Sequence, residues 1–196
     1  MTTPMRILLL GGLVLPLLFS CGNGAGNSNT NAADSVATDA PEAVRRIRAQ
    51  EDSLFARPVF DRKGALRLYD VYLAFGQSFP HDTMVPEYLF RAASLSRSLG
   101  EPNKTLMLYD RLIADFPHWR RIPDAYYLRA FTIDADLKKK GEAKAAYEEV
   151  ITRFPDHKFA ADAKQMIENL QYTDEELIER FKRMNDSVNA PVAKGH

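Results

Sequence analysis

The chain has 196 residues, and its 26 Lys+Arg balance 26 Asp+Glu to a formal net charge of zero. With no basic excess, nucleic acid is excluded as the expected partner. Its single cysteine leaves no intrachain disulfide, so the fold rests on its core, which a domain of this length is large enough to bury.

Residues 1–20 read MTTPMRILLLGGLVLPLLFS. One arginine, Arg6, precedes an apolar run from Ile7 to Phe19 that is too short to span a bilayer and suits the h-region of a cleaved signal peptide. Ser20 then precedes Cys21, and the ending LFSC resembles the lipobox of bacterial lipoproteins. That resemblance implies that Cys21 becomes the new N-terminus and carries a diacylglyceryl thioether and an amide-linked acyl chain such as palmitate. Several chains anchor far more firmly than one, at roughly 0.8 kcal/mol per buried methylene. An ordinary secretory peptide with an incidental cysteine is the alternative. Gly22 stands where inner-membrane lipoproteins of enteric bacteria carry Asp, so the resemblance implies the outer membrane. The tether lacks the acidic run after the cysteine that resembles a surface-export signal of Bacteroidota lipoproteins, which implies that the chain faces the periplasm.

After Cys21, residues 22–40 are Gly, Asn, Ser, Thr, Ala and Asp with one Val36, a composition that cannot offset its ordering entropy. The flexible tether is therefore set at 21–40; about twenty residues of coil span on the order of 25 Å. The helical domain is expected over 41–187, with a first helix over about 41–57. Helix pairs follow over about 61–79 with 86–99, 102–115 with 123–140, and 142–154 with 158–170. Thr173 and Glu176 form a capping box ahead of Leu177, Ile178, Phe181 and Met184, which share one face. Helix 174–186 is therefore expected to cover the open end of an array. Residues 188–196 read as a disordered tail.

Three segments align on a Phe-Pro pair: YLAFGQSFPH at 72–81, YDRLIADFPH at 109–118 and YEEVITRFPDH at 147–157. Tyr72, Tyr109 and Tyr147 each precede the phenylalanine by two helical turns and so share its face. Pro80, Pro117 and Pro155 then end the helix and lie 37 and 38 residues apart. Pro86-Glu87 and Pro123-Asp124 place a proline and an acid where new helices start. A helix–turn–helix copy of this period signals a solenoid. Ala143, Tyr147 and Pro155 resemble the second helix of the tetratricopeptide repeat; Tyr109 and Pro117 match with Thr105 at the small site, Tyr72 and Pro80 with Leu68. Gly100 stands at the turn glycine of the second copy, whereas Gly141 is three residues late, which predicts a rearranged turn. Ala93 and Ala130 occupy the small position of the first helices. The resemblance covers about residues 61–170 and implies an all-α helical-hairpin solenoid of about three repeats.

No HExxH, Gly-rich phosphate loop or GxSxG occurs, so no catalytic residue, cofactor or metal is expected. His81, His118 and His157 follow the repeat prolines, one copy apart; equivalent loops lie about 10 Å or more apart, too far to share a metal. They and His196 read as solvated. The acid pairs Asp134/Asp136 and Glu148/Glu149, and the basic runs at 45–48, 120–121 and 138–140, read as solvated faces, with anionic lipid as the alternative for the basic runs.

In the tetratricopeptide family the first helix of each repeat lines a concave face. Carried over, its positions are Glu87, Phe90, Ser94 and Arg97, then Asp124, Tyr127, Phe131 and Asp134. Aromatic anchors among opposite charges suit a protein segment; the alternative is that Phe90, Tyr127 and Phe131 are packed core. The chain looks like the outer-membrane tetratricopeptide lipoproteins of envelope biogenesis, and is similar to the barrel-assembly lipoprotein and the Tol–Pal-associated tetratricopeptide domain. That resemblance implies a non-enzymatic, lipid-anchored periplasmic scaffold binding a peptide segment or an envelope complex. The alternative function is an accessory subunit binding glycan or peptidoglycan, for which an exposed platform of Trp119, Tyr126 and Tyr127 is the discriminating feature.

Overall fold

The computed structural model describes residues 39–189. The expectations for the leader, Cys21, residues 21–38 of the tether and residues 190–196 lie outside the described residues. Among the described residues every regular element is helical: α1 Ala40–Phe55, α2 Arg62–Ser78, α3 Val85–Ser98, α4 Pro102–Asp115, α5 Ile122–Phe131, α6 Lys140–Arg153, α7 Lys158–Asn169 and α8 Asp174–Asn189. From α1 to α7 each helix packs on the next. This is an all-α solenoid of helical hairpins.

The Phe-Pro pairs explain the repetition. Phe79, Phe116 and Phe154 cap α2, α4 and α6 with φ of −130°, −130° and −133° and ψ of 61°, 51° and 54°. Each phenylalanine carbonyl then accepts from the amide three residues on, at Asp82, Trp119 and His157, all at 3.0 Å. Proline after each phenylalanine supplies no amide to extend the helix, so the same turn forms three times. Pro86 and Pro123 sit in the first turns of α3 and α5.

Tyr72, Tyr109 and Tyr147 occupy equivalent buried sites on α2, α4 and α6, as the alignment predicts. Ala93 and Ala130 are fully buried, which lets neighbouring helices approach closely. At the small site of the second helices Thr105 and Ala143 are inaccessible and Leu68 nearly so. Thr105 places its hydroxyl 2.8 Å from that of Ser96, so this buried polar atom is satisfied.

Helix α5 ends nine residues earlier than the expected helix 123–140. It runs into a π-helical turn, Thr132–Asp136, in which Leu137 N–H donates to the Thr132 carbonyl at 3.2 Å. The cause is a single inserted residue. α3 and α5 start 37 residues apart, at Val85 and Ile122, but α4 and α6 start 38 apart, at Pro102 and Lys140. One wider turn absorbs the extra residue without losing the helix axis. The rearranged turn predicted from the late Gly141 is then clear: Lys138, with φ of 57°, takes the left-handed position that Gly100 holds at φ of 77°. A side chain there is strained. Lys138→Gly is expected to raise stability by up to about 1 kcal/mol, measured by chemical denaturation; an unchanged or lower midpoint would show the lysine to be accommodated at no cost.

The C-terminal helix departs from expectation in one respect. The capping box forms, with Thr173 N–H donating to Glu176 at 2.8 Å and Glu176 N–H to the Thr173 hydroxyl at 3.2 Å. Yet Ile178, Phe181 and Met184 are exposed. The helix is made by its local signals, but its apolar face is not laid over the end of the array.

Candidate functional site

Charged side chains tie α1 to α3 and α3 to the α5 region along one side, and stacked rings join α5 to α7. On α3, Arg91 donates to Glu51 of α1 at 2.6 Å and to Glu87, one turn back, at 2.9 Å. Glu87 also accepts from Arg121, ahead of α5, at 3.3 Å, and Arg121 reaches Asp124 at 3.4 Å. Glu51 is buried and accepts a second bond, from the Tyr72 hydroxyl, at 2.7 Å. Burial and then the Glu51 carboxylate push the Tyr72 phenol well above its ordinary range. Burial disfavours the Arg91 charge, but bonds to Glu51 and Glu87 outweigh it and raise its pKa.

Above this ladder an open cavity of about 500 Å³ lies between α1 and α3. Glu51, Asp52 and Phe55 line it from α1, Glu87, Phe90, Arg91, Ser94, Leu95 and Ser98 from α3, with Tyr72 and Arg121. Phe55 is 66% exposed, at the end of α1. Such an aromatic beside a partly apolar hollow is the usual form of an anchor site.

The structure gathers three of the sequence-derived residues here: Glu87, Phe90 and Ser94. Phe90 is buried, with Tyr109 and Trp119 rings at 5.8 and 5.6 Å and the Arg121 guanidinium 3.9 Å from its centroid. It is therefore chiefly core, touching the cavity at its floor. Tyr109 behind it is buried, which pushes its phenol up to about 12.

The other five do not line the cavity. Arg97 makes two bonds to Asp136 on the π-turn, at 2.6 and 3.0 Å, and lies 4.7 Å from the Phe131 centroid. Asp124 is engaged by Arg121. Tyr127 stacks on Phe159 of α7 with centroids 4.4 Å apart and planes 5° from parallel. Asp134 accepts from the Tyr147 hydroxyl at 3.4 Å. These contacts join α3 to α5 and α5 to α7.

Several residues read as solvated are structural instead. Asp134 and Asp136 serve the bonds just described, because the π-turn carries them to the inter-helix seam. Arg121 lies over Phe90. His157 caps α7, its Nδ1 accepting from Phe159 N–H at 3.3 Å. Sequence reasoning missed Glu51, Asp52, Phe55, Arg91 and Arg121 as site residues. The Arg91–Glu51 and Arg121–Glu87 pairs span 40 and 34 residues, beyond any local pattern. The glycan platform is not formed: Tyr126 is buried edge-on to Phe154, Tyr127 is covered by Phe159, and half-buried Trp119 packs beside Phe90. Among the described residues no three His, Cys, Asp or Glu side chains come together as metal ligands.

The tetratricopeptide repeat family model matches residues 124–157, which are most of α5, the π-turn, α6 and the turn after it. The match spans one repeat and sets the register, with α5 a first helix and α6 a second. Together with the three equivalent turns it supports a tetratricopeptide-repeat protein, a class of protein-interaction scaffolds. No curated protein matches the chain.

Proposed function

We propose that the protein is a non-enzymatic, lipid-anchored scaffold of the periplasmic face of the outer membrane. It captures a segment of a protein partner on the face formed by α1 and α3. The observation that carries this reading is the open cavity between those helices, with Phe55 exposed at its edge and a rigid ladder of charges as its floor. Preformed pockets on rigid elements bind with little ordering cost. The Cys21 anchor, read from LFSC, raises the effective concentration of the scaffold at the membrane. Envelope biogenesis is the setting implied by the resemblance to tetratricopeptide lipoproteins.

The anchor has a direct test. Cys21→Ala removes the acyl acceptor, and the variant is expected to leave the outer-membrane fraction, accumulating as precursor or soluble protein. Membrane fractionation with immunoblotting reads this. A variant that stays with the outer membrane as fully as the wild type would overturn lipid anchoring and leave segment capture to be judged separately.

A further inference from the structure

We infer that the pocket between α1 and α3 selects a peptide segment carrying a lysine or arginine beside a bulky apolar side chain, a specificity that rests on this pocket being the capture site. Three carboxylates, Glu51, Asp52 and Glu87, face two guanidiniums, Arg91 and Arg121. Both cations are already committed. Arg91 divides itself between Glu51 and Glu87 at 2.6 and 2.9 Å, and Arg121 reaches Glu87 at 3.3 Å while covering Phe90. Asp52 is exposed on the pocket wall and makes no ion pair among the described residues. The uncompensated charge of the pocket is therefore negative.

The hydroxyls of the wall point the same way. Ser94 donates to the Phe90 carbonyl at 3.1 Å and Ser98 to the Ser94 carbonyl at 3.2 Å. Ser94 also shares a hydrogen bond with the Tyr109 phenol. Ser98, exposed and with its hydrogen directed to the Ser94 carbonyl, offers its lone pairs to an incoming group and so suits a donor. Phe55 lies three residues after Asp52, on the same side of α1. Its exposed ring gives an apolar neighbour a surface and adds a cation–π contact for the cation itself. An acidic segment would meet Asp52 with no unpaired cation among the residues that line the pocket, and like charges brought together select against a partner.

A display library of random short peptides, selected on the full chain and on the variants Asp52→Lys and Phe55→Ser, tests the specificity. Both positions are exposed, and far-UV circular dichroism verifies each fold; Asp52→Asn replaces the lysine variant if α1 is disturbed. The wild-type pool is expected to be enriched about two- to fivefold in Lys or Arg adjacent to Leu, Ile or Phe, the scale of one partly exposed charge contact. Asp52→Lys should lose the basic bias and keep the apolar one, and Phe55→Ser the reverse. A wild-type pool biased to acids, or a basic bias unchanged in Asp52→Lys, would overturn the specificity and leave segment capture standing. Equal recovery from all three proteins with no sequence bias would overturn the capture site as well.

Discussion

Tyr147→Ala is expected to destabilise the protein by about 3–5 kcal/mol, the usual cost of deleting a fully buried aromatic. Tyr147 is inaccessible, has the Tyr127 ring at 5.9 Å and donates its hydroxyl to Asp134. Such a loss is a large part of the 5–15 kcal/mol of a typical domain. Because a solenoid is stabilised by nearest-neighbour interfaces, the effect should concentrate in α5 to α7. Denaturant unfolding gives the magnitude, and hydrogen exchange gives its location. Tyr147→Phe should cost no more than about 1–2 kcal/mol, since it removes only the hydroxyl bond. A loss below about 1 kcal/mol for the alanine variant would contradict the placement of this ring in the core.

Arg91→Ala should cost about 1–3 kcal/mol and loosen α1 specifically. Its removal leaves the buried Glu51 carboxylate with the Tyr72 hydroxyl alone, and an unpaired buried charge is costly. The estimate stands below the figure for fully buried pairs because the Arg91 side chain is 40% exposed. Amide exchange in α1 should quicken while α6 and α7 keep their protection. Adding Glu51→Gln, which discharges the stranded group, should restore part of the stability. Uniform loss of protection along the chain, or none in α1, would show that the ion pair does not hold that helix.

The repeated turns were legible because their causes are local. Phenylalanine and tyrosine two turns apart face one way, and proline stops the helix immediately afterwards. The capping box at Thr173 and Glu176 was legible for the same reason. Whether the stripe of Ile178, Phe181 and Met184 would dock was not, since that depends on a surface elsewhere in the chain. The π-turn left only a trace, the change in repeat spacing from 37 to 38 and the misplaced Gly141. Its result, a lysine in the left-handed region and Asp136 turned to Arg97, needs the backbone.

The site was legible in part. Glu87, Phe90 and Ser94 follow from the groove positions that the tetratricopeptide resemblance implies for α3, and they line the cavity. The balanced charges around them resembled a solvated surface, because composition does not distinguish a free arginine from one held between two glutamates. Glu51 and Arg91 meet across 40 residues, and only the packing of α1 and α3 on α2 brings them into one ladder.

Capture of a segment between α1 and α3 is the central claim, and site-specific photocrosslinking in cells tests it most directly. A photoreactive side chain at Phe55 or Ser98, both lining the cavity, should give discrete adducts whose mass spectra contain a partner segment with a basic residue. The same probe at Met107, 70% exposed on α4 and outside the cavity lining, should give none of these. Adducts from Met107 with none from Phe55 or Ser98 would place the binding surface elsewhere and contradict the account.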